Sequence, residues 1–240
     1  MINLAYALVA GLFASVASYL ALDAWWSAVL PGLVVFTGLF IVLWRRTNKQ
    51  VEAHFANVQK EMMKGKPQNF DRAIVMMKEI NAHFGKRQFF LESGINGQIG
   101  SILFMQKKYD EARPYLEKSF ARAWEPQAML AVLQYKKKDM NAVDETFERA
   151  TKVAGNSGLL WSIWAWMHHK QKDNDRALAI LNRAKEKLDD KDPQLTQNIL
   201  QLQNDKKMKM KPYGQQWYVF MLEEPPRQKM AQRGAKFAQR

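Results

Sequence analysis

His168 and His169 stand side by side next to Lys170, and with His54 and His83 they are all the imidazoles in a 240-residue chain that has no cysteine. Missing thiols exclude disulfide frameworks, thiolate metal sites, cysteine nucleophiles and dithiol redox chemistry together. Adjacent histidines on a helix point about 100° apart, so both cannot face one ligand. The run Gly94-Ile95-Asn96-Gly97-Gln98-Ile99-Gly100 lacks the Lys-Ser/Thr pair of a phosphate cradle, and in a helical setting it marks close helix packing. Serine nucleophile elbows, His-Glu zinc helices and calcium loops are also missing. The sequence predicts no catalytic residue, no cofactor, no metal site and no enzyme.

What the chain does carry is a sharp division of charge. Lys and Arg number 36 against 23 acids, a net +13, yet residues 1 to 44 hold no base and one acid, Asp23. Residues 2–22 and 25–44 each match the roughly 20 residues that cross a hydrocarbon core of about 30 Å. Together they predict a transmembrane hairpin over residues 1–46. Trp25, Trp26 and Trp44 lie at the ends of the second span, where indoles favour the headgroup layer, and Arg45 and Arg46 follow it directly. A secretory signal would begin with positive charge, and Met1-Ile2-Asn3 has none. Arg45, Arg46 and Lys49, set against a turn without bases, place both termini in the cytoplasm by the positive-inside rule.

From residue 50 the pattern is one of short amphipathic helices separated by turns. Val51, Phe55, Val58 and Met62 mark one stripe, stopped at Gly65-Lys66-Pro67; the next helix opens at Asn69-Phe70-Asp71, where Asn or Asp can cap free amides. Small residues opening each second helix align as Ala73, Ala112, Val143 and Ala177, spaced 39, 31 and 34 residues apart. A period near 34 belongs to one class of helical repeat. The last unit shows it best, with Trp161, Trp164, Ala165 and His168 on its first helix and Ala177, Leu181 and Ala184 on its second. The unit before places Leu130, Ala131, Val143, Phe147 and Ala150, and the one before that Ile99, Gly100, Ala112, Leu116 and Ser119, with Asp110 as a helix cap.

On these residues the stretch from about 50 to 190 resembles the tetratricopeptide repeat family. The resemblance implies an all-α fold: the hairpin, then an α-solenoid of about four helical hairpins over residues 50–205, with a capping helix opened by Asp192-Pro193. With the hairpin in front, the chain also resembles bacterial membrane-anchored repeat proteins, among them one associated with haem biosynthesis, although no shared catalytic motif supports a haem function.

In the repeat register Trp161, Trp164 and His168 fall on packing positions. Phe104, Met105, Tyr135, Lys136, Trp166, His169 and Lys170 fall on a concave groove, with Trp166 as a candidate exposed anchor for a bound peptide. The set is apolar and aromatic with few bases, which favours an apolar helix or extended segment over a terminal carboxylate. These readings predict a non-enzymatic scaffold in a bacterial inner membrane, its repeats cytoplasmic, recruiting a protein partner into a membrane complex, or else a structural subunit of such a complex. Residues 206–240 hold nine bases and two acids around Trp217, Tyr218 and Phe220. The alternative therefore places function in this tail, on anionic lipid or RNA, though nucleic acid is the weaker partner.

Overall fold

The computed structural model describes residues 2–22, 25–189 and 191–226, without the side chains of residues 22–28. The described residues form eleven α-helices and one short 3-10 turn, with no strand. The helices are α1 (Ile2–Leu22), α2 (Trp25–Met63), α3 (Pro67–Phe84), α4 (Leu91–Met105), α5 (Tyr109–Glu117), α6 (Trp124–Lys136), α7 (Met140–Ala154), α8 (Gly158–Lys170), α9 (Asn174–Lys187), α10 (Pro193–Gln203) and α11 (Gln215–Tyr218). They divide into two compact units, Met1–Leu130 and Ala131–Arg240.

In the first unit, Ile2–Ala21 and Val29–Met63 are long and apolar enough to cross a membrane. Leu12, Phe13, Leu20, Leu30 and Val34 are all exposed on them. At about 25 cal/mol per Å² such a surface is costly to leave in water. The two helices meet where side chains are absent or small: a Cβ on Gly11 would lie 2.8 Å from the Gly32 carbonyl oxygen and 2.9 Å from Phe36 Cβ. Small residues permit this backbone approach, the usual packing device of apolar helix pairs. At the other end Asn3 Nδ2 donates to Thr47 Oγ1 at 2.9 Å, and both residues are buried.

α2 continues past Arg45-Arg46 without interruption. The sequence suggested a span ending at residue 44 and a separate helix from about 50; a single 39-residue helix does both jobs. Between Leu39 and Lys64 there is neither Gly nor Pro to stop it. Its apolar character changes instead, to a single stripe on which Val51 and Val58 are buried.

The helical hairpins that follow share one turn geometry. Lys107, Lys138 and Lys172, at the ends of α4, α6 and α8, all have φ between 62° and 66°. Each lets the next amide reach back five residues: Lys108 N–H donates to Leu103 O at 2.9 Å, Asp139 to Gln134 O at 3.1 Å and Asp173 to His168 O at 3.1 Å. This left-handed closure satisfies the last carbonyls of a helix. Gly65, φ +69°, holds the corresponding place after α2. Asp139 and Asp173 then cap the next helix, accepting from Ala142 N and Arg176 N at 3.0 Å each. Two expected caps are not used. α3 starts two residues before Asn69, which is buried within it, and α5 is preceded by Lys108 without a side-chain cap, leaving Asp110 inside the first turn.

Ala73, Ala112, Val143 and Ala177 are all completely buried, as their alignment requires. Of the glycine run, Gly97 and Gly100 supply the close packing: Gly97 faces Pro126 and Ser119, and a Cβ on Gly100 would sit 2.7 Å from a Leu116 methyl and 3.0 Å from its backbone nitrogen. A Cβ on Gly94 would meet nothing within 4 Å. Gly100→Val should therefore lower stability by about 1–3 kcal/mol through overpacking. Urea unfolding of the full chain in detergent measures it, with Gly94→Val as the tolerated control.

Candidate partner-binding groove

The residues expected to line a groove meet different fates. In the first unit Phe104 is fully buried against Tyr109, with ring centroids 5.4 Å apart, while Met105 is exposed. In the second unit Tyr135 is half-buried and Lys136 exposed. His169 is half-buried, its Nδ1 2.7 Å from Asn174 Oδ1. Trp166, expected as an exposed anchor, is only 4% exposed. Its neighbours are Tyr135, at 6.3 Å between centroids, and Trp217, edge-on at 5.2 Å.

Trp217 comes from the segment read as a tail. Residues 206–223 fold onto the second unit, burying Met208, Met210, Trp217 and Phe220. Hydrogen bonds fix the register: Lys209 N–H donates to Asn198 Oδ1 at 2.8 Å, the Tyr213 and Ser162 hydroxyls lie 2.8 Å apart, and Trp217 Nε1 donates to Glu223 Oε2 at 3.2 Å. Burial pushes the Tyr213 phenol well above its ordinary range. Burial also raises the Tyr135 phenol. Gly214, at φ 62° and ψ −141°, takes a conformation essentially reserved for glycine and so permits the turn into α11. Lys170 closes the arrangement, its Nζ 4.8 Å above the Trp166 ring and 3.8 Å from Glu223 Oε1.

The tail reading changes accordingly. Trp217 and Phe220 are spent on the chain's own repeat, not available to lipid or RNA, while Arg227 and the four bases beyond it lie outside the described residues. Of the interface set, Trp44, Arg45 and Arg46 are exposed on α2, and the side chains of Trp25 and Trp26 lie outside the described residues. The tail's return was not legible as a groove ligand because Trp217 to Leu222 is one short apolar run without a period to show which face it offers.

The packing positions behave as read. Trp161 and Trp164 are buried, with Trp161 Nε1 donating to Gly155 O at 2.9 Å and Trp164 Nε1 to Asp144 Oδ1 at 2.6 Å. His168, also buried, brings its Nε2 to 2.7 Å from the same Asp144 oxygen. Among the described residues no three His, Asp or Glu side chains come together to hold a metal. Behind them Arg183 forms a two-pronged pair with Glu148, at 2.7 and 3.0 Å, and lies 5.5 Å from the Trp161 ring centre. The guanidinium hydrogen bonds hold the Glu148 carboxyl below its ordinary 4.5.

Stacked helical hairpins with a recurrent left-handed turn and a buried small residue opening each second helix define a helical repeat protein. The tetratricopeptide repeat family matches residues 93–123, which cover α4 from its third residue, α5 and the whole loop that leads to α6. Over those residues the chain is similar to a tetratricopeptide repeat. No curated protein matches the chain.

Trp217→Ala removes a side chain with no exposed surface, and truncations of this size cost about 3–5 kcal/mol. That loss should detach residues 206–223 before the repeats unfold. Limited trypsin digestion should then cut at Lys206 to Lys211 in the variant and spare them in the parent. The Glu148–Arg183 pair is half in solvent, so Glu148→Gln should cost no more than about 1 kcal/mol at pH 7. Because the folded carboxyl titrates below 4.5, its contribution is present above that pH and is lost as pH falls through the folded value. Denaturation of parent and variant should converge at the acid end.

Proposed function

We propose that the protein is a membrane-anchored, non-enzymatic scaffold. Its hairpin sits in a bacterial inner membrane, and its repeats recruit a protein partner on the cytoplasmic side. The observation that carries this reading is α2: an apolar, exposed segment and the first helix of the repeat region are one rod, so the repeats are held directly at the point where the chain leaves the apolar layer. The family match supports protein interaction as the activity. Arg45, Arg46 and Lys49 support the orientation.

Trp166 engages a partner only when residues 206–223 leave. An open surface is found in the first unit, a recess of about 490 Å³ lined by Phe55, Val58, Met62, Met63, Phe70 and Met77. Methionine-rich apolar recesses accept amphipathic helices because thioethers adjust to irregular shapes. A photo-crosslinking amino acid at Met63, in membranes from cells expressing the full chain, should give a discrete protein adduct that the same probe at exposed Val75 does not. Equal labelling at both sites would remove the recess as the contact. For orientation, Lys66→Cys on this cysteine-free chain should react with a membrane-impermeant maleimide only after permeabilisation.

A further inference from the structure

The loop between α3 and α4 is Gly85-Lys86-Arg87-Gln88-Phe89-Phe90, and hydrogen bonds hold it at the charged end of the apolar hairpin. Lys86 O accepts from the backbone N–H of Ile2 at 3.0 Å, and Gln88 Nε2 donates to Asn48 Oδ1 at 2.7 Å. Asn48 follows Thr47, the residue that pairs with Asn3 across the hairpin. The loop is therefore level with Arg45, Arg46 and Lys49, three residues or fewer from Asn48 on α2.

At this level the loop exposes what a folded protein ordinarily hides. Phe89 is 44% and Phe90 64% exposed. Phe90 is held at φ +62°, a left-handed conformation that is an outlier for a bulky residue. Its ring stacks on Phe120 at 4.6 Å, which fixes the aromatic cluster from behind. Arg45, Arg46, Lys49, Lys86 and Arg87 are all exposed around it, against two acids, Glu52 on α2 and Glu92 at the start of α4. A cleft of about 510 Å³ opens between Ile2 and the loop.

We infer that this loop is a second membrane contact, an interfacial site at which Phe89 and Phe90 enter the headgroup layer and Lys86 and Arg87, with Arg45 and Arg46, bind anionic phospholipid. The inference rests on the membrane-spanning reading of the hairpin, since that places the loop at the interface. Aromatic rings and bases side by side fit this layer, where rings sit among headgroups and cations meet negative surface potential. Charge selects the occupant: an apolar protein partner would satisfy the two rings and leave the exposed guanidinium groups of Arg45, Arg46 and Arg87 facing no anion.

The test uses the full chain in vesicles of phosphatidylcholine, with and without phosphatidylglycerol, carrying a nitroxide lipid labelled near the headgroup. Single cysteines at Phe89, Val34 and Lys66 each carry an environment-sensitive fluorophore. Val34 reports the hairpin, and Lys66 lies beyond the far end of α2, about 30 Å from Arg46 at 1.5 Å per residue. The probe at Phe89 should show blue-shifted emission and lose fluorescence to the nitroxide, while that at Lys66 should show neither. The quenching should deepen with phosphatidylglycerol, and Lys86→Gln with Arg87→Gln should abolish that increment. If Val34 is quenched while Phe89 behaves like Lys66, or if quenching at Phe89 ignores both the anionic lipid and the charge removal, the loop site is overturned and the hairpin stands. An unquenched Val34 overturns the membrane-spanning reading itself, and the loop site with it.

Discussion

An unbroken α2 is the constraint on which the first unit depends. One helix carries an apolar, exposed surface along its first half and an amphipathic packing face along its second, and it does so without a break. Backbone hydrogen bonding makes this possible, because a helix is self-satisfied in either medium. The Asn3–Thr47 pair and the Gly11–Gly32 approach fix α1 against it. The buried Val51 and Val58 fix α3 and its successors at the other end. Anything that turns α2 about its axis turns the first repeat with it.

The second unit is organised differently, around Trp217. A fully buried indole from the C-terminal segment meets Trp166 edge-on, and Lys170 bridges the Trp166 face to Glu223. Repeat arrays leave an apolar face at their last unit that something must cover. Here α10 and residues 206–223 share that work, with Asn198 and Ser162 supplying the polar fixings. The aromatic density of α8 therefore serves closure of the fold.

Much of this was legible in the residues. Ala73, Ala112, Val143 and Ala177 revealed the repeat because close helix approach restricts residue size at one position per unit, and a restriction recurring near 34 residues survives variation elsewhere. The turns were less legible, since three of them place lysine where glycine would be the recognisable signal. The continuity of α2 was hidden because Arg45-Arg46 looks like an end although both residues are good helix formers. Groove positions were inferred from register alone, and register does not say what covers them. Trp166, expected as an exposed anchor, is buried, and the segment lying on it is some fifty residues away in sequence. The Lys86–Phe90 loop carried no motif; its significance comes from two hydrogen bonds to residues about forty or more positions earlier.

The continuity of α2 is tested most directly by a distance. Nitroxides at Gly38→Cys and Lys60→Cys, both exposed positions on an otherwise cysteine-free chain, are separated by 22 residues along α2. They lie within about 40° of the same helix face. Electron–electron dipolar spectroscopy on the full chain in lipid nanodiscs should give one narrow distribution centred near ~33 Å, the rise of an unbroken helix. A broad distribution, or one centred well below that value, would mean that the helix breaks near Arg45-Arg46 and that the repeats hang from the hairpin by a flexible joint.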